Sequence, residues 1–205
     1  MAENNQTDKK TRVRRDRREE ILQEAGRLFG IHGFRGTSLS SVAEAVDLTE
    51  PGLLHYFPSK VHLLQSVLAY RDQHDSEKYK ALLDTEENTI FESLEDLVAE
   101  NEKIPGLIRL FTILVGESIR EDHPAHDYFL NRYSELRKGF ANQLTLFIES
   151  EGLNADVDVN QLATLIGAVM DGLQIQWLLD PDQVSMSDSF NLFSEIIVDY
   201  LKKGE

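Results

Sequence analysis

The chain has 205 residues, 41% of them hydrophobic, no cysteine, and 36 Asp and Glu against 21 Lys and Arg, a formal net charge of −15. That length buries a real core as one large domain or two small ones, the hydrophobic share excludes wholesale disorder, and no apolar run approaches the roughly 20 residues of a membrane helix. Lacking cysteine and an apolar leader in Met1 to Lys10, the chain is expected to have no disulfide or thiolate-metal site, no membrane partner and a cytoplasmic address.

The charge is unevenly spread. Residues 1–60 hold 10 Lys and Arg against 9 Asp and Glu, net +1, whereas residues 61–205 hold 11 against 27, net −16. Within the first part, Lys9, Lys10, Arg12, Arg14, Arg15, Arg17 and Arg18 cluster with only Asp16 among them. A basic arm on an acidic body suggests division of labour between the ends of the chain.

Met1 to about Thr11 is polar without periodicity and reads as a disordered tail. Ile21, Leu22, Ala25, Leu28 and Phe29 then recur at three- and four-residue spacing, which predicts a first helix from about Arg17 to His32, stopped by Gly33. Thr37 and Ser38 precede Leu39, Val42, Ala43 and Val46 and are N-cap candidates for a second, short helix over Ser38 to Val46. Thr49 is a second cap candidate, with Pro51 at an early helical position where its missing N–H costs nothing, so a third helix is expected from Glu50 to Phe57, closed by Pro58. Two short helices joined by a tight turn and braced by a longer one form the helix-turn-helix pattern.

Beyond Pro58 every segment still reads as helix. A fourth starts at Val61 and reaches about Leu83; a fifth carries Ile90, Phe91, Leu94, Leu97 and Val98; Pro105 opens a sixth and Pro124 a seventh that runs to Gly152. The eighth spans about Val159 to Leu179 and the ninth about Ser187 to Lys202. No period-two alternation between turns indicates strands, so the fold class is all-α.

The run Ile21-Leu22-x2-Ala25-x2-Leu28-Phe29-x3-Gly33-Phe34-x-Gly36-Thr37-Ser38, then Val42-Ala43, then Leu48 through Lys60 and Leu63-Leu64, strongly resembles the DNA-binding domain of the tetracycline-repressor (TetR) family. Order, spacing and the Phe-x-x-Lys ending agree, over about a quarter of the chain. The resemblance implies a nine-helix architecture. A disordered tail (1–11) would precede an N-terminal helix-turn-helix domain (12–60) and a C-terminal helical ligand-binding and dimerisation domain (61–205). It also implies a dimeric, cofactor-free repressor of double-stranded operator DNA that leaves when a small-molecule effector binds the body. One departure stands out: at Leu54 the family usually has a Tyr that bonds phosphate, for which His55 and Tyr56 are the nearby substitutes.

Cations that neutralise phosphate release counterions, so Arg12, Arg14, Arg15, Arg17 and Arg18 are candidate backbone or minor-groove contacts, the alternative being a solubilising tail. In the third helix, Thr49, Glu50, Pro51 and Gly52 would face base edges, Glu50 accepting from a cytosine amino group and Thr49 capping the helix, bonding DNA, or both. Thr37, Ser38 and Ser40 could bond phosphate through hydroxyl or backbone N–H groups. Lys60 matches the family's phosphate contact, while Leu53 and Phe57 are expected to pack inward.

In the resemblance, helices eight and nine form a four-helix homodimer interface, placing Leu162, Ala163, Ile166, Gly167, Met170, Phe190, Phe193 and Ile197 there. Helices four to seven would enclose a ligand pocket, with Phe111, Leu114, Val115, Tyr128, Phe129, Tyr133 and Phe140 as liners, joined by Gln174 and Trp177 from the eighth. Each could equally be core; a mostly apolar lining implies a hydrophobic or amphipathic effector. His123 and His126 beside Asp122 and Asp127 invite a metal reading, but they sit at a helix start with no third histidine nearby, so no metal site is expected. No Ser/His/Asp arrangement, phosphate-binding Gly loop or metal-binding carboxylate repeat supports an enzyme. The remaining alternative is a helical ligand-binding or interaction module whose DNA binding is lost or weak, for which Leu54 speaks.

Overall fold

The computed structural model describes residues 2–70, 89–153 and 157–202, with the backbone alone for residues 2–15. Among the described residues there are nine helices and no strand: α1 (Ala2–Gly36), α2 (Leu39–Ala45), α3 (Glu50–Leu54), α4 (60–70), α5 (Ile90–Glu102), α6 (Pro105–Ser118), α7 (His126–Ser150), α8 (Val159–Leu179) and α9 (Met186–Lys202). The part of the fourth helix expected beyond residue 70 lies outside the described residues.

Most element ends have a local cause. Gly33 interrupts α1 at φ 69° and ψ 175°, a conformation that a side chain would strain, and turns the chain toward α2. Ser38 and Ser41 form a reciprocal capping box at α2, Thr49 caps α3 by accepting from Gly52 N–H, and Thr89 and Glu92 box the start of α5. Pro105 opens α6 as expected. The seventh helix begins at His126, two residues after Pro124.

Two sequence-based expectations need correction. The tail over residues 1–11 was expected to be irregular, yet the backbone is helical from Ala2. Glu3, Gln6, Lys9 and Lys10 are good helix formers, and extension of an existing helix adds a hydrogen bond per residue without a new nucleus. The second concerns the membrane: α8 is 21 residues long and by length and composition alone could cross one. Its apolar surface instead packs largely against α7, α6 and α9, with Asp171 in its middle.

The side chains fill two cores. In the first, Ile21, Leu22, Ala25 and Phe29 of α1 meet Val42, Leu53 and Phe57, and Leu63, Leu64, Val67 and Leu68 of α4 complete it with Leu110 and Leu114 of α6. Each such large side chain contributes roughly 1.5–3 kcal/mol on burial. The core begun by α1 to α3 therefore continues past Lys60 into α4 and α6. The second core joins α5, α7, α8 and α9 around Leu94, Leu144, Ile166 and Phe190. The crossing of α1 over α6 is unusually close: a Cβ on Gly30 would stand 3.1 Å from the Gly106 carbonyl oxygen and 3.2 Å from the Leu110 Cα.

Candidate nucleic-acid interface and cavity

The short third helix exposes one side and buries the other. Leu53 and, just beyond the helix, Phe57 are buried under the neighbouring helices, as their spacing predicted, while Thr49, Glu50, Pro51, Leu54 and His55 lie on the surface, Gly52 and Tyr56 are half-buried, and Thr49 Oγ1 accepts from Gly52 N–H at 3.2 Å. The start of α2 lies on the same head: Ser38 and Ser40 are exposed, with their hydroxyls 3.1 Å apart.

Three of the candidate DNA contacts have internal work in this structure. Thr37 is 2% exposed and its hydroxyl donates to the carbonyls of Gly33 at 2.9 Å and Leu28 at 3.2 Å, so it latches the turn after α1 and offers no hydroxyl to phosphate. Arg17 pairs with Glu20 at 2.6 Å and donates to the Val46 carbonyl, tying α1 to the turn between α2 and α3. Arg18 lies 4.9 Å over the Phe57 ring and donates to Ser66 Oγ at 3.3 Å, tying α1 to α4. All three sit where the helices of a small head must be tied together, a demand that charge clustering does not reveal. The side chains of Arg12, Arg14 and Arg15 lie outside the described ones.

Lys60 is half-buried, 4.5 Å over the Phe34 ring, with Nζ 3.5 Å from the Arg35 carbonyl. Burial lowers its pKa, opposed by the nearby carboxylate of Glu117. That carboxylate comes from the last turn of α6 and accepts from the Phe34 backbone N–H at 2.9 Å. Behind it, His123 is buried. Its Nδ1 accepts from Ala125 N–H at 3.2 Å and bonds Ser118 Oγ at 3.0 Å, which places the ring proton on Nε2, 3.6 Å from Glu117. Burial lowers its pKa, and the charge of Glu117 opposes that shift. His126 bonds the Ser118 carbonyl at 2.8 Å. The two histidines thus brace the turn from α6 to α7.

In the body, α5 to α8 enclose a cavity of about 410 Å³. Phe111, Val115, Phe129, Tyr133, Phe140 and Gln174 line it, as the pattern suggested. Leu114 instead lies in the first core and Trp177 in the second, while Tyr128 packs edge-on against Phe129 at 4.9 Å. These three face away because each sits one step round its helix from a liner.

The wall also contains groups that apolar periodicity passed over: Thr112 of α6, Arg132 and Arg137 of α7, and Asp171 of α8. Tyr133 donates to Asp171 at 2.7 Å. Burial raises the carboxyl pKa of Asp171 against the opposing effects of that bond and of Arg132, and burial beside Asp171 raises that of Tyr133. Asp171 is the sole charged residue of α8, a signal available in the sequence.

The expected interface set is corrected too. Leu162, Ile166 and Phe190 are buried within the second core, while Ala163, Gly167 and Met170 line the cavity. Phe193 and Ile197 are partly buried against that core. The apolar residues left on the surface are Leu165, Ile175 and Leu179 of α8 and Leu192, Ile196 and Tyr200 of α9. Because α8 is apolar all round, its spacing alone could not say which side meets solvent.

A capped helix-turn-helix head continuous with a cavity-bearing helical body defines the molecule as a DNA-binding regulator in architecture. Residues 21–67 match the model of the tetR family of bacterial regulatory proteins, and residues 88–201 match the C-terminal domain of BetI-type transcriptional repressors. The chain belongs to the TetR family of transcriptional regulators. It is 28% identical over 147 residues to the HTH-type transcriptional repressor KstR2 of Mycolicibacterium smegmatis, which covers 70% of this chain and 71% of that one. Among solved structures, a putative transcriptional regulator from Pseudomonas aeruginosa PAO1 superposes with a TM-score of 0.78 at 18% identity, covering 93% of this chain and 92% of that one. A putative regulator from Saccharomonospora viridis in complex with choline gives 0.73 at 22% identity, covering 89% and 95%. At those identities the likeness is one of fold.

Proposed function

We propose that this regulator is a cytoplasmic repressor that binds a pseudo-palindromic operator as a homodimer and is released when a small effector occupies the cavity. The observation that carries the reading is the double duty of α6. Phe111, Thr112 and Val115 on one side of it line the cavity, Leu110 and Leu114 on another lie in the head's core, and Glu117 at its end holds the Phe34 N–H. Anything that shifts α6 from inside the cavity acts on the head through packed atoms. The choline complex of the Saccharomonospora viridis neighbour supports the idea that this fold houses small ligands.

Ser38, Ser40, Thr49, Glu50, Pro51, Gly52, His55, Tyr56 and Lys60, with the arm arginines Arg12, Arg14 and Arg15, form the DNA-contacting set. With Leu at position 54, the phosphate bond falls to His55 or Tyr56. The exposed apolar row on α8 and α9 forms the homodimer interface, which sets the two recognition helices about 34–36 Å apart, one DNA turn. The test is a gel shift with the DNA upstream of its own gene. Binding at low salt that weakens steeply as salt rises is expected; absence of any shift at low salt overturns the reading in favour of a module without DNA binding.

A further inference from the structure

The cavity wall carries three charges, on Arg132, Arg137 and Asp171. The acidic one is already provided for: Tyr133 donates to it at 2.7 Å, and burial favours its neutral form. The guanidinium groups, in contrast, stay charged in any protein environment. The aromatic wall is partly taken as well, because Arg132 lies 4.9 Å over the ring of Phe111, the seat that a foreign cation would use. Arg137 is exposed, beyond Tyr133 and Leu136 on the same helix. Thr112 contributes a buried hydroxyl with no hydrogen-bond partner among the described residues. In a body at net −16, this wall is a place where positive charge is in surplus.

We infer that the cavity takes a small organic anion with an apolar body, a carboxylate on an aliphatic or aromatic frame, held by Arg132 and Arg137. The inference rests on the reading of the cavity as the effector site. The carboxylate faces the two guanidinium groups, with the Thr112 hydroxyl as a further donor, and the hydrocarbon lies against Phe129 and Phe140. Charge-assisted bonds to a guanidinium are roughly twice as strong as neutral ones, so the head group carries the selectivity while the hydrocarbon supplies area.

Calorimetric titration of the full-length protein with octanoate, octanol and octyltrimethylammonium isolates the charge at nearly constant chain length. Octanoate is expected to bind about tenfold or more tightly than octanol, with the cation weakest. Arg132→Gln and Arg137→Gln should each reduce octanoate affinity roughly tenfold and leave octanol unchanged, and Asp171→Asn should strengthen octanoate binding. The exposed position of Arg137 keeps that variant informative if Arg132→Gln folds poorly. Octanol or the cation binding as well as octanoate, no octanoate binding, or equal losses for octanoate and octanol in the Arg137 variant overturns the inference. A gel shift of the ligand-free protein reports on the regulator reading separately, since it depends on neither charge series.

Discussion

The head and the body are built from the same apolar residues, but they leave different amounts of space. In the head, Leu53, Phe57 and Phe29 are closed off almost completely, and short helices are pinned by caps and by Arg17, Arg18 and Thr37. In the body, long helices surround about 410 Å³ of unfilled volume and leave Leu179, 80% exposed, and Tyr200, 60% exposed, on the outside. A reading surface must hold a fixed shape, so its side chains are spent on rigidity. A receiving and assembling part must keep room for something else.

The contrast can be broken or sharpened by experiment. The largest difference is expected between Phe57→Ala and Val115→Ala in urea unfolding. The first opens a hole in a filled core and should cost about 3–5 kcal/mol, whereas the second enlarges an existing space and should cost well under half of that. Similar losses would mean that the cavity wall is as tightly packed as the head. Next comes Ile196→Glu, which places a charge on the outer apolar row. Light scattering should report a monomer for this variant and a dimer for the parent, with folding retained because the side chain is 56% exposed; a variant that stays dimeric moves the interface elsewhere.

Gly33→Ala tests the join between the two regions. With φ at 69° and the Glu117 carboxylate against the same point, the added methyl group should cost about 1–2 kcal/mol in thermal unfolding, and a neutral outcome would show that the join adapts freely. The smallest effect is expected from acid. The folded-state pKa of His123 lies below its ordinary value because the neutral ring is buried, so the unfolded chain binds the proton more readily. Stability contributed by this site is complete above the ordinary value near 6.5 and is lost as pH falls from there through the folded pKa. His123→Gln should therefore flatten the stability profile just below pH 6.5, and an unchanged slope would exclude this ring as its source.

Where local chemistry decides, the sequence was informative. Asp158 caps the eighth helix, whose ends fell where expected at Val159 and Leu179, and Gly33, Thr49 and Pro105 act as their residue types demand. Facing was harder to read. The spacing of Leu162, Gly167 and Met170 shows an apolar helix, but whether such a residue meets core, cavity or solvent depends on neighbours distant in the chain. Arg17 and Arg18 illustrate the same gap for charge: their clustering suggested DNA, and the third dimension gave them a backbone carbonyl and an aromatic ring. Asp171 was visible as a solitary charge in an apolar helix, and its meaning needed Tyr133 beside it.

Asp171 also bears on how the chain is made. The helix that contains it has the length and composition of a membrane segment, and a nascent apolar stretch of that kind is a candidate for insertion into a bilayer during synthesis. An aspartate at the centre of an inserting helix adds about 2.5–3.5 kcal/mol against entry. The carboxylate that meets Tyr133 in the finished protein thus weighs, before folding, against delivery of the helix to lipid.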